Sequence, residues 1–164
     1  MNFRKAERRL RKVAKDNGIL VRRFTNVNAL PKRQTYTGRT IQLVRESNAE
    51  FLMDLAHELG HYLVAPEEFR DARDFGWGSS YELQYEGEKP ARKYDSSEEE
   101  RASLLGIWMI KEVLGDDAAS EVLVEHDWQV ETHPHKVLTV TNELMRDGLI
   151  MFKDNRIVPT CLAA

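Results

Sequence analysis

Residues 47–66, Ser47-Asn48-Ala49-Glu50-Phe51-Leu52-Met53-Asp54-Leu55-Ala56-His57-Glu58-Leu59-Gly60-His61-Tyr62-Leu63-Val64-Ala65-Pro66, carry the reading of the whole chain. Ser47 and Glu50 stand at capping-box spacing, where a hydroxyl and a carboxylate satisfy the orphan N–H groups of a helix start. A helix is therefore expected from near Asn48. Leu52, Leu55, Ala56, Leu59 and Leu63 mark its buried stripe, and Pro66 biases Ala65 away from helical backbone, so the helix should stop there. Within it, His57 and His61 are four residues apart, about 40° in azimuth, so both imidazoles project from one side and can share a metal ion. Glu58 lies between them, positioned to take a proton from a metal-activated water.

Two histidines under-coordinate a catalytic ion, which needs a third protein ligand and one open position. A third histidine six residues after the second is ruled out, because Glu67 occupies that place. The next acids at the start of a predicted helix are Glu98, Glu99 and Glu100. Ser97 and Glu100 read as a second capping box, which leaves Glu98 and Glu99. Glu99 shares a face with Ala102, Ser103 and Gly106, small residues that let another helix come close, so Glu99 is the expected third ligand and Glu98 the alternative.

Outward from this centre, apolar residues at Phe3, Ala6, Leu10, Val13 and Ala14 predict an N-terminal helix that Gly18 stops. Ile19 to Phe24 and Thr40 to Arg45 read as short strands, the second with Ile41 and Leu43 on one side. If that second strand is a sheet edge, it could pair with an extended peptide. Residues 66–95 have no sustained period and read as a long structured loop, in which Trp77, Tyr81, Tyr85 and Tyr94 either anchor to the core or line a cleft. The second capped helix should reach about Leu114 before Gly115. Helices are also expected over Asp117 to His126 and His135 to Asp147, with His133-Pro134-His135 as the entry to the last. A hairpin over Leu149 to Val158 should turn at Asp154-Asn155. The predicted fold class is α+β, one domain over residues 1–164, with a small sheet packed against the metal helix and further helices.

Length and charge limit the alternatives. At 164 residues, 41% hydrophobic and 31% charged, the chain suits one packed domain. Lys plus Arg number 24 and Asp plus Glu 27, so net charge gives no global reason to bind nucleic acid or membrane. The distribution is uneven: residues 1–45 hold 13 Lys/Arg against 2 acids, the remainder 11 against 25. A basic pole that meets an acidic partner or nucleic acid is the corresponding expectation. Cys161 is the sole cysteine, which excludes an intramolecular disulfide and a cysteine zinc cage and makes the cytoplasm the expected compartment. The basic first seventeen residues contain no apolar run of the secretory or membrane-spanning kind.

The order of helix, strands, His57-Glu58-Leu59-Gly60-His61-Tyr62-Leu63 and a later Glu99-x-x-Ala102-Ser103 resembles the ImmA/IrrE group of gluzincin metallopeptidases over about residues 3–110. That group has Asn at the place of Ser103, the position expected to support a ligand. The resemblance implies a zincin-like domain with zinc on His57, His61 and Glu99 and Glu58 as base, acting on a protein or peptide. A second resemblance, to the elongation factor P hydroxylase family, rests on Asp74-Phe75-Gly76-Trp77 after the metal helix and a helix-then-hairpin tail. It implies Fe(II) on the same ligands and hydroxylation of a protein substrate. Two histidines and one carboxylate suit either ion. A third expectation is non-enzymatic, a module that binds through its basic N-terminal segment and the wing-like terminal hairpin.

Overall fold

The computed structural model of the protein describes residues 2–24, 35–36, 39–44, 47–67, 70, 96–125 and 134–163. In order, these form α1 (Phe3–Asp16), β1 (Leu20–Phe24), β2 (Thr35–Tyr36), β3 (Thr40–Val44), α2 (Asn48–Val64), α3 (Ser96–Leu114), α4 (Asp116–Glu125), α5 (Pro134–Arg146), β4 (Ile150–Lys153) and β5 (Arg156–Pro159). A short 3₁₀ turn, Thr160–Leu162, follows. The architecture is mixed helix and strand, compatible with α+β. Among the described residues no helix is long and apolar enough to cross a membrane.

Local chemistry explains the helix ends. The Asn2 side chain caps α1 by accepting from the Lys5 N–H at 3.0 Å, and Gly18 leaves the helix at φ +71°. The α2 capping box forms in full: the Glu50 N–H donates to Ser47 Oγ at 3.1 Å, and the Ser47 N–H donates to Glu50 Oε2 at 3.2 Å. Ala65 ends α2 in extended backbone, as the following proline requires. The second capping box differs. Because α3 begins at Ser96, Ser97 lies inside the first turn rather than at the cap, and Glu100 accepts from Lys136 of α5 at 2.8 Å. At the β4–β5 turn, Asp154 and Asn155 adopt φ of +50° and +58°, the left-handed pair that a two-residue hairpin needs.

α2 and α3 form the centre of the molecule, with α1, α5 and the sheet laid against them. Leu10 of α1, Phe51, Leu55 and Leu59 of α2, Leu105, Met109 and Ile110 of α3 and Leu144 of α5 are fully buried in one cluster with Ile41 and Leu43 of β3. Each such side chain contributes about 1.5–3 kcal/mol through removal from water. The three-stranded sheet has the order β1-β3-β2, with β1 parallel and β2 antiparallel to β3. β3 is therefore an interior strand. The condition for peptide addition at Thr40 to Arg45, a free sheet edge, is not met at Ile41 and Gln42, where β1 and β2 pair with β3 on its two sides.

Part of the basic N-terminal charge is spent inside the fold. Arg9 donates to the Glu112 carbonyl at 2.8 Å and to its Oε1 at 3.0 Å, while Arg156 donates to Glu112 Oε2 at 2.8 Å, so one glutamate ties α1 and β5 to α3. Arg11 donates to the Val21 carbonyl at 3.0 Å and lies over the Phe51 ring, which Arg23 also covers. The Cys161 thiol is pushed up to about 11 by burial, so it is not a thiolate at neutral pH. Residues 71–95 and His133, including Asp74-Phe75-Gly76-Trp77 and Tyr81, Tyr85 and Tyr94, lie outside the described residues. His135 is exposed.

Candidate metal centre

The site begins with a close approach of two helices. A Cβ built on Gly60 would stand 2.3 Å from the Ala102 carbonyl oxygen and 3.0 Å from its carbon, so α2 and α3 touch backbone to backbone at this point. No larger residue at Gly60 leaves room for that contact. One turn before Ala102, α3 presents Glu99; one turn before Gly60, α2 presents His57, with His61 alongside. The small-residue face of α3 thus delivers its carboxylate onto the imidazoles.

Three donor atoms converge there. His57 Nε2 and His61 Nε2 lie 3.0 Å apart, Glu99 Oε1 is 3.1 Å from the first and Glu99 Oε2 is 3.1 Å from the second. The rings meet edge to face at 84°. Each Nε2 can hold one proton, aimed along one direction, so the three contacts cannot all be hydrogen bonds at once. A cation between them satisfies all three. Ligands of a tetrahedral zinc ion stand about 3.3 Å apart, so the triangle has to open by only a few tenths of an ångström. Among the described residues, His57, His61 and Glu99 are a group that could hold a metal ion. Glu98, the alternative ligand, is buried beside them but is not part of this group.

The surroundings orient and polarise the ligands. Ser103 Oγ lies 3.4 Å from His57 Nδ1. Were Nε2 to take an ion, Nδ1 would carry the ring proton and could donate it to that hydroxyl, which would set the tautomer. Ser103 is thus within reach of a ring that a metal ion would use. Glu58 Oε2 is buried and has no hydrogen-bond partner among the described residues. His61 is 4% exposed, whereas His57 and Glu99 keep part of their surface open to solvent, which leaves an approach to the centre.

Burial by itself would push the His57 pKa down, but the hydrogen bond to Glu99 and the charges of Glu58 and Glu99 outweigh it and raise the value above 6.5. Burial would raise Glu99, yet hydrogen bonds from His57 and His61 hold its carboxyl far below its usual 4.5. Because a proton on His57 competes with the ion, metal affinity should climb with pH by up to about tenfold per unit and level off only above the raised His57 value. Zinc titrations of chelator-stripped protein across pH check this; a pH-independent affinity would contradict it. Without metal the sign is different. His57 stabilises the fold below 6.5 and loses that contribution as pH rises through its raised value, while Glu99 stabilises above 4.5 and loses its contribution as pH falls, so the pair helps most between the two.

Gly60 is a site residue that the motif spacing did not single out. A glycine inside a helix costs roughly 1 kcal/mol relative to alanine, and that cost is the signal that a packing reason exists. Gly60→Ala should nevertheless destabilise the protein by about 1–3 kcal/mol, because the added carbon wedges α2 from α3. It should also weaken metal binding at least tenfold by withdrawing Glu99. Denaturant unfolding and zinc titration of the variant measure both, and a variant as stable and as tight as the native protein would show that the contact does not position the site.

No family model, curated protein or solved structure matches the chain.

Proposed function

We propose that the protein is a zinc-dependent metallopeptidase of zincin-like organisation, with His57, His61 and Glu99 as ligands and Glu58 as general base. The observation that carries this reading is the meeting of three donor atoms from two helices, with Glu58 close enough for its charge to raise His57 and its Oε2 buried without a hydrogen-bond partner among the described residues. Zinc held there would polarise the scissile carbonyl and make the attacking water more acidic.

The remaining work falls to the chain. Glu58 accepts a proton from the water as its oxygen bonds to the carbonyl carbon. It then delivers that proton to the amide nitrogen as the C–N bond breaks, so the products are a carboxylate-bearing fragment and an amine. His57, oriented through Ser103, and His61 keep their Nε2 lone pairs on one point. An extended protein or peptide substrate that adds to the sheet has to use β1 or β2, since β3 is interior.

The donor set itself supports a second reading. Two imidazoles and a carboxylate also make the facial triad of non-heme Fe(II) oxygenases, so hydroxylation of a protein substrate by the same centre is the alternative. Metal analysis of protein purified without added metal, followed by mass spectrometry of peptide libraries incubated with the zinc-loaded and the Fe(II)-loaded, aerated protein, separates the two. Bound zinc and zinc-supported cleavage are expected. With a two-electron reductant such as ascorbate added to the Fe(II) arm, so that the second oxygen atom can leave as water, oxygen- and reductant-dependent gain of one oxygen atom without cleavage would replace the peptidase with the hydroxylase, and failure to bind either ion stoichiometrically would overturn both and favour a non-enzymatic module.

A further inference from the structure

The outer face of α1 has a composition that neither the core nor the metal centre uses. Arg4, Lys5, Arg8, Lys12 and Lys15 are all exposed. At 100° per residue they fall within roughly 100° of one another around the helix, and at 1.5 Å per residue they extend over about 17 Å. The side chains of Arg4, Lys5, Arg8 and Lys15 form no ion pair or hydrogen bond among the described residues, and that of Lys12 has only the exposed one-turn partner Asp16 at 2.6 Å. Such exposed pairs are worth at most about 1 kcal/mol and exchange readily. Of the two arginines of α1 that fold the chain, Arg9 lies off this face on Glu112, and Arg11, at its edge, is turned to the Val21 carbonyl.

We infer that this face is a docking surface for the phosphate backbone of nucleic acid. Charge complementarity selects an anion, and the absence of an apolar anchor selects its kind. Every apolar residue of α1 is buried or packed on the core: Ala6, Leu10, Val13 and Ala14 are inside, and Phe3 lies against them. Protein interfaces depend on buried aromatic or aliphatic anchors, which this face lacks. A phosphate backbone asks only for cations in a row. A duplex carries one phosphate per roughly 1.7 Å of its axis, about ten along the length of this face when both strands are counted, so each of the five cations can meet one across a groove. The face offers cations alone, without the Asn or Gln amides that pair with adenine or the acids that accept from cytosine, so contact to phosphate, which carries no base sequence, supplies the binding. This surface is separate from the proposed peptidase chemistry and does not depend on it.

Fluorescence anisotropy with a duplex of about 20 base pairs, and with a single strand and an RNA of the same sequence, tests the inference between roughly 50 and 200 mM salt. The native protein should bind with a log–log salt slope of about −4 to −5, one increment of about 0.9 for each phosphate neutralised. The combined variant Arg4→Gln, Arg8→Gln, Lys15→Gln should lose at least about 100-fold at the low-salt end and flatten the slope by about 2.7. These side chains are exposed, so zinc stoichiometry and helical circular dichroism should stay at native values. Arg4→Glu, Arg8→Glu, Lys15→Glu should abolish binding. The duplex, single-strand and RNA arms identify which nucleic acid the backbone contacts favour. No association at low salt, or native affinity in the glutamine variant, overturns the inference. Equal or tighter binding of polyglutamate would assign the face to an acidic protein instead.

Discussion

Glu58→Gln is expected to keep the metal and the fold while slowing peptide hydrolysis by about 10²- to 10⁴-fold, the usual worth of a positioned general base. The substitution keeps the shape of the side chain and removes its capacity to hold a proton. Glu58 is outside the His57, His61 and Glu99 group, so the ligand set is unchanged. Its Oε2 has no hydrogen-bond partner among the described residues, so no structural bond is broken there. A second readout follows from electrostatics. The Glu58 charge helps to raise His57, so its removal should lower the His57 pKa and move the onset of metal binding to lower pH. Turnover of the zinc-loaded variant, with metal content measured on the same sample, decides the matter. A variant with native turnover would remove Glu58 from the mechanism, and one that loses zinc would make it a structural support.

His57→Ala, His61→Ala and Glu99→Ala should each reduce metal affinity by well over 100-fold, more than the roughly 10- to 100-fold lost when only a supporting partner of a ligand is changed. Each removes one corner of a triangle whose edges are 3.0–3.1 Å, and two remaining donors cannot hold a catalytic ion comparably. Glu98→Ala is the informative control. Glu98 is buried and next to Glu99 in sequence but is not a member of the ligand group, so its loss should tell on unfolding midpoints and leave zinc occupancy intact. Full occupancy in Glu99→Ala together with loss in Glu98→Ala would reassign the third ligand.

What could be read from the sequence is what depends on neighbours a few residues away. The start of α2 follows from Ser47 and Glu50, its end from Pro66, and the β4–β5 turn from Asp154-Asn155, because caps and two-residue turns are satisfied by atoms within four positions. The pairing of His57 with His61 is of the same kind, fixed by the helical repeat. The meeting of Glu99 with the two histidines was legible as well, since Ala102, Ser103 and Gly106 mark the face of α3 that a second helix can approach. Tertiary structure alone decided how these pieces meet. Whether β3 is an edge depends on which distant backbones reach it first, and β1 and β2 close it on both sides. Glu100 leaves the cap for Lys136, a residue thirty-six positions away. Gly60 becomes a positioning residue only because Ala102 arrives against it, and Arg9 and Arg11 turn from the basic pole to Glu112 and Val21. Helical periodicity assigns a side chain to a face, but only packing against the rest of the chain determines what that face meets.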